Sequence, residues 1–576
     1  MICRRKRPAL VGALAFGLLA GCSGEGGGLE DRMVIAEVAL GEGRAGDAVR
    51  ALERYEQGGD PATRLLLAEA LLAQGETARA ERLLSGDGFP PSLAARAEHL
   101  RGRAALARGD LARAGQAFDR ALALEPADAD LWTDIARLRY RGGEQLAAPD
   151  AIQRALAIDP ANLPARHLQA LIRRDAAGLN VAAGEFEALL RDHSRSDIAR
   201  DAAAVYLDAG RVSDALELLD PDTEEDSFLR AVAAARTGDW NEARMLLGTV
   251  PQAQVEQPAA LLLSATVDLA SGLDDAAAKT LDELARKQPD NRVVAHLLAL
   301  ALYRSSAHRE LVSRLGDRAA AADGSPYLRT MVGRAYEALD RREEAAPYLD
   351  TAARARPNTL TVFGDADTGV ASGGGDSVAL RSSLRRQIGQ GDTASALSEA
   401  RAFVDANPAS ADGARLLGDV YLAVGEWREA LFQYERAGQV RGDWPLVQRL
   451  VLAHRRLDQP SEAEAIMQRY IAGGGRERAA LSTYAAMLAR RGNLGAASRL
   501  VEYALAKGGR NDPGFLSRWS GILREAGDGE AALQYAGAAY RLSPMHPAAL
   551  AALRDATADP DVRARMEDKL ARLSSR

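Results

Sequence analysis

At 576 residues the chain is too long for one globular core, since single cores stop growing at about 250–300 residues. Aromatic residues make up only 5% and no sustained two-residue alternation of β-branched side chains occurs, which excludes a strand-rich fold and leaves helices almost throughout. Charged residues amount to 27% with both signs interspersed, and a net charge of −7 excludes nucleic acid as a general partner.

The chain opens on Arg4, Arg5, Lys6 and Arg7, continues through an apolar stretch from Ala9 to Leu18, and reaches Leu19-Ala20-Gly21-Cys22. The apolar stretch is too short to span a bilayer stably. This pattern resembles a bacterial lipoprotein signal. The resemblance implies removal of 1–21 and acylation of Cys22. With Ser23 rather than Asp next, it also implies sorting to the periplasmic side of the Gram-negative outer membrane. A plain secretory signal or an uncleaved anchor helix is the alternative. On the lipoprotein reading, loss of four cations takes the net charge from −7 to −11. Cys3 then leaves with the signal and Cys22 carries lipid, so no thiol remains for disulfides, soft metals or nucleophilic catalysis. Residues 22–28 form a glycine-rich tether, reaching roughly 20 Å when extended.

From Leu29 onward the sequence repeats itself. Ala80, Ala114, Ala148 and Ala182 are spaced 34 residues apart, and Gly75, Gly109 and Gly143 keep the same step. In a unit beginning near Ala95, Gly102, Gly109, Ala114, Phe118, Ala121 and Pro126 fall at positions 8, 15, 20, 24, 27 and 32. A second clear copy begins near Ala411 with Gly418, Tyr421, Gly425, Ala430, Tyr434 and Ala437. A third, near Pro326, carries Gly333, Tyr336, Ala345, Ala352 and Pro357.

Small residues at 8, 20 and 27 let paired helices approach. Glycine at 15 ends the first helix in a conformation that a β-carbon opposes, and proline at 32 stops the second. The pattern resembles the tetratricopeptide family. The fold that follows is all-α, a superhelical solenoid of tetratricopeptide-like helix-turn-helix repeats whose neighbours bury each other's apolar faces.

In chain order the register starts units near Leu29, Pro61, Ala95, Ala129, Leu163, Ser196, Glu224, Pro258, Arg292 and Pro326, an N-terminal array over 29–357. The Ser196 unit is short, with a second helix trimmed before Pro221. Residues 358–376 are rich in Gly, Asp, Thr and Ser and predict a linker or loop. Asp365, Asp367 and Asp376 give that segment a superficial calcium-loop appearance, but Val370 stands where such a loop needs glycine. Units near Ser377, Ala411, Trp444, Arg478 and Pro513 form a C-terminal array over 377–546, and 547–576 predict a helical cap.

Catalytic and cofactor motifs do not emerge. The seven histidines are scattered without metal-ligand spacing. Gly41, Gly43 and Gly46 spell a dinucleotide-like motif, and Gly389, Gly391 and Ala394 a looser copy, but both follow helical stretches where such a site needs a strand. Gly43 and Gly391 occupy repeat position 15 and predict inter-helix turns. The run Asp220, Asp222, Glu224, Glu225 and Asp226 predicts a solvated loop at a helix end. The expectation is a non-enzymatic binding protein with no cofactor and no metal.

Positions 2, 5, 9, 12 and 13 share one face of each first helix, and in tetratricopeptide arrays that face lines the groove. Three successive units place Arg96, His99, Arg103, Arg137, Tyr140, Arg141, His167 and Arg174 there. Such a strip suits an anionic polymer or an acidic protein segment through bidentate arginine contacts. Ordinary surface arginine is the competing reading.

Repeats and signal together resemble the large repeat lipoproteins of Gram-negative envelopes, in particular those of exopolysaccharide export and of the exosortase (PEP-CTERM) system. That resemblance implies a lipid-anchored scaffold for envelope proteins. An assembly factor for pili or outer-membrane proteins, or an accessory regulator of a cell-wall or polysaccharide enzyme, would use the same architecture.

Overall fold

The computed structural model describes residues 28–56, 60–86, 88–193, 195–321, 324–354 and 376–574. The signal segment 1–21, Cys22, most of the tether and the 358–375 stretch, with Asp365 and Asp367, lie outside the described residues. Those that are described form helices joined by short turns, with no strand among them.

Several helices begin where aspartate, asparagine, serine or proline stands at the boundary. Asp60 accepts from the amides of Ala62 (2.8 Å) and Thr63 (3.2 Å) at the head of Pro61–Ala73. Ser410 accepts from Gly413 N at 3.0 Å to open Ala411–Val424. These side chains satisfy amides that the first helical turn leaves open, and a proline there removes one of the open donors.

Turns within a repeat hold position 15 in the left-handed region: φ is +80° at Gly109, +80° at Gly391 and +87° at Gly425. The same conformation is kept where glycine is absent. Ser306, Asp340 and Asp458 all stand at position 15 of their units and have φ of 57–61°. The turn geometry is thus imposed by the pairing of the two helices rather than by the residue, and the non-glycine positions carry the steric cost.

Helices pair through the small positions. Ala80, Ala114, Ala148 and Ala182 are all fully buried, as is Ala430. A β-carbon on Gly102 would overlap the ring of Phe118, and one on Gly418 would lie 2.6 Å from the ring of Tyr434. One on Gly333 would lie 2.6 Å from Leu349 Cδ2. Position 24 of the second helix therefore packs directly onto the bare backbone at position 8 of the first. Burying a side chain the size of Phe118 contributes about 1.5–3 kcal/mol.

Contacts divide the chain into two units: Met1–Gly142 with Ala148–Leu168 and Leu190–Asp197, and Gly143–Ala147 with Gln169–Leu189 and Ile198–Arg576. The first unit contains the helix pairs Leu29–Gly41 with Ala45–Leu52, Pro61–Ala73 with Thr77–Leu84, Pro91–Arg108 with Leu111–Leu124, and Ala129–Arg141 with Ala148–Ile158. The predicted Ala95 start is one turn late, because Pro91 at the first helical position, behind Pro90, extends that helix to 18 residues.

Further along the chain, first helices begin at Ser196, Pro258, Arg292, Pro326, Asp376, Ala411, Trp444, Arg478 and Pro513, where the register places them to within a residue, whereas the unit expected near Glu224 opens with a short 3-10 turn, Glu224–Asp226, and its first helix is Ser227–Thr237. The short unit's second helix is only Val212–Leu216. The acidic run that follows is not wholly solvated: Asp226 is buried, accepts the Asp220 amide at 2.7 Å and pairs with Arg200 at 3.1 Å. At the C-terminal end the expected cap is a further helix pair, Pro547–Ala556 and Pro560–Ser574.

Candidate interaction site

The predicted strip begins on the Pro91–Arg108 helix, where Arg96, His99 and Arg103 share a face. They meet carboxylates from the repeats on either side. Glu69, on Pro61–Ala73, takes Arg96 at 2.8 Å and Arg103 at 3.3 Å. Asp134, on Ala129–Arg141, takes His99 Nε2 at 2.8 Å, Arg137 at 2.5 Å and Arg103 Nε at 3.6 Å. His99 Nδ1 lies 3.7 Å from Asp128, which also caps the Asp134 helix by accepting from Leu131 N.

Asp134 is almost fully buried, and burial alone would push its carboxyl upward. The charge of Arg137, the His99 hydrogen bond and the charge of Arg103 outweigh that, so the carboxyl is held well below its ordinary 3.8.

Four of the predicted residues therefore converge, but around acids of the chain itself. His99 is buried and stands edge-on to Phe118, with ring centres 5.9 Å apart. Tyr140 and His167 are half-buried and have neighbours of their own, whereas Arg141 is exposed. Arg174, in the second unit, bonds Asp175 at 3.0 Å. The acids Glu69, Asp128 and Asp134 escaped the sequence reading. The usable signal was their spacing to the cations, because position 6 of one repeat meets positions 5 and 9 of the repeat before it.

The second unit has a related cluster that sequence reasoning missed altogether. Asp419 is fully buried, receives the Arg449 guanidinium at 2.5 and 3.1 Å, and accepts from the Tyr434 hydroxyl at 2.8 Å. Arg415, one turn earlier on the same helix, lies 3.9 Å from it. Burial first, and then the charge of Asp419, pushes the Tyr434 hydroxyl well above 10, so it remains a hydrogen-bond donor. Asp419 and Arg449 hold positions 9 and 6 of successive repeats, the same places as Arg103 and Asp134, with the charges exchanged.

Elsewhere the face differs. Cations at positions 6 and 12 of the Pro513–Glu525 helix, Arg518 and Arg524, line a cleft between that helix and Pro547–Ala556. Among the described residues no group of three or more His, Cys, Asp or Glu is placed to hold a metal ion. No described helix is long and apolar enough to cross a membrane.

Comparison with known proteins agrees with the repeat geometry. Tetratricopeptide-repeat profiles match residues 39–86, 99–162, 327–359 and 385–443. The second of these spans holds His99, Arg103, Asp134 and Arg137, and the fourth holds Asp419 and Tyr434 but ends before Arg449. The chain thus contains tetratricopeptide repeats, and that fold implies protein partners. Among solved structures it is similar to the APC/C hetero-tetramer Cut9-Hcn1, at 14% identity over 97% of this chain and 95% of that one, with a TM-score of 0.38. It is also similar to Naa15/Naa10 bound to HypK-THB, at 14% identity over 94% and 99%, with a TM-score of 0.25. No curated protein matches the chain.

Proposed function

We propose that this chain is a non-catalytic, lipid-tethered scaffold that gathers protein partners in the Gram-negative envelope. The observation that carries the reading is the recurrence of one architecture, in which successive helix pairs close on small buried residues such as Ala80, Ala114, Ala148 and Ala430. Such a series presents many equivalent positions to an extended segment of another protein.

The tether rests on Leu19-Ala20-Gly21-Cys22 behind a basic and apolar leader. More than one acyl chain on Cys22 gives stable anchoring where a single chain is marginal. The resemblance to repeat lipoproteins supports a role in exopolysaccharide export or the exosortase system, on the periplasmic side of the outer membrane.

Crosslinking in intact cells, followed by identification of the attached proteins, tests the scaffold. A reproducible set of envelope proteins is expected, and recovery of none would overturn it. For the anchor, a fatty-acid probe is expected to label the wild-type chain and not Cys22→Ala, and the variant is expected to leave the membrane fraction. A Cys22→Ala chain that stays membrane-bound removes the lipid from the proposal.

A further inference from the structure

An anionic ligand needs cations that the protein has not already paired. The Arg96–Arg137 strip fails that condition, since Glu69 and Asp134 occupy its cations. The C-terminal repeats meet it. Gly514, Ser517 and Gly521 from one first helix and Ala548 and Ala551 from the next stand at positions 2, 5 and 9. Their small side chains leave a cleft of about 300 Å3 between the helices. Arg518 and Arg524 line the same cleft.

Among the described residues neither arginine forms an ion pair or a side-chain hydrogen bond. The acids nearby are engaged elsewhere. Asp512 caps the helix by accepting from Phe515 N at 3.0 Å and lies 3.4 Å from Arg478. Asp555, across the cleft, accepts from Arg554 at 2.7 Å. Burial pushes the Arg518 guanidinium below its ordinary value, with Asp512 only partly opposing this. A carboxylate brought into the cleft would supply hydrogen bonds and opposite charge in place of the hydration that burial has removed.

We infer that the cleft between Pro513–Glu525 and Pro547–Ala556 is a subsite for an acidic side chain of an extended protein segment, held by Arg518 and Arg524. The small lining residues let a peptide backbone come close, and the two guanidinium groups select glutamate or aspartate over neutral residues. The inference rests on the scaffold reading for its biological setting, but the site can be tested without it.

The test is fluorescence anisotropy of the full chain with short labelled peptides of alternating glycine and glutamate, alongside glycine–glutamine counterparts. Only the acidic peptide is expected to bind. Arg518→Gln combined with Arg524→Gln is expected to weaken it at least about tenfold. Gly521→Leu provides a second variant, because a β-carbon there meets no atom within 4 Å, so the side chain fills the cleft while the helix keeps its packing. It is expected to block binding with an unchanged melting profile.

Equal binding of both peptides, or undiminished binding by the variants, overturns the subsite. So does displacement of the peptide by alginate at lower concentration than by unlabelled acidic peptide, which would assign the cleft to a polymer. If the peptide test fails while crosslinking still recovers envelope proteins, the subsite falls and the scaffold stands. Peptide binding with no crosslinked partner leaves the subsite standing and overturns the scaffold.

Discussion

The Asp134 cluster of the first unit and the Asp419 cluster of the second occupy the same repeat positions and solve the same problem differently. In both, position 24 packs its ring onto a glycine at position 8, and a charge at position 9 meets an opposite charge at position 6 of the next repeat. In the first unit the ring is Phe118, which carries no hydroxyl. Its carboxylate is shared among His99, Arg103 and Arg137, and the two arginine side chains remain 28% and 35% exposed. In the second unit the ring is Tyr434, whose hydroxyl binds the carboxylate directly, and Arg449 is only 1% exposed. One extra oxygen on the ring thus accompanies a closed, fully buried network, where its absence accompanies an open one at the edge of water. Buried pairs of this kind contribute little net stability when complete but are costly to break.

The largest effect is therefore expected at Arg449. Arg449→Ala leaves Asp419 buried with only the Tyr434 hydroxyl and a distant Arg415, and should cost about 3–5 kcal/mol. Repeat arrays of this length do not unfold as one step, so the measurement is amide hydrogen exchange in the helices Ala411–Val424 and Trp444–Arg456. Arg137→Ala should cost less, about 1–2 kcal/mol, since His99 and Arg103 still hold the carboxylate it leaves behind. Equal losses at the two sites would erase the distinction between a closed and an open network.

Next comes the glycine at position 8. Gly418→Ala drives a methyl into a ring that cannot slide, because the Tyr434 hydroxyl is tied to Asp419, and about 1–3 kcal/mol of overpacking is expected. Gly102→Ala meets Phe118, which has no such tether and can tilt away. Its cost should be smaller, partly offset by the better helix propensity of alanine. Paired exchange measurements on the two variants check the order.

The open cluster should also respond to acid. Asp134 titrates below its ordinary value in the folded chain, so its stabilisation is complete above about pH 5, and is lost as the pH falls through 3.8 toward the folded value. In Asp134→Asn that acid-linked loss should disappear. Protection of the Ala129–Arg141 helix, compared between neutral pH and about pH 3 for both chains, checks the sign.

The repeat register and its starts were legible because alanine, glycine and proline at positions 8, 15, 20, 27 and 32 act through backbone shape, which a linear pattern records directly. The charge networks were not legible in that way. Arg96, His99 and Arg103 read as a free basic strip because their partners lie 27 to 35 residues distant, in neighbouring repeats, and pair only once the helices stack, whereas Arg137 meets Asp134 three residues earlier on its own helix. Asp419 and Arg449 were invisible for the same reason. Position 6, which turned out to carry Asp134, Arg449 and Arg518, is not among the face positions that helical spacing first selects, yet stacking brings it into the cleft between successive repeats. The boundary at Pro91 shows the other limit, where a local proline overrides the count.

The smallest expected effect concerns the turns, where the same fold is built with and without glycine. Gly425 holds φ at +87° without a β-carbon, whereas Ser306 holds +61° with one. If the turn conformation is imposed by helix pairing, Gly425→Ala should lose about 1 kcal/mol and Ser306→Gly should gain up to about as much, less the greater backbone freedom glycine adds to the unfolded chain. Asp340 and Asp458 should gain less on replacement by glycine, because aspartate tolerates the left-handed region better than serine does. Exchange rates of the helices flanking each turn report these differences locally. A loss at Ser306→Gly would mean that the serine side chain holds the turn by its own contacts, and that position 15 is chosen residue by residue rather than by the stacking of the repeat.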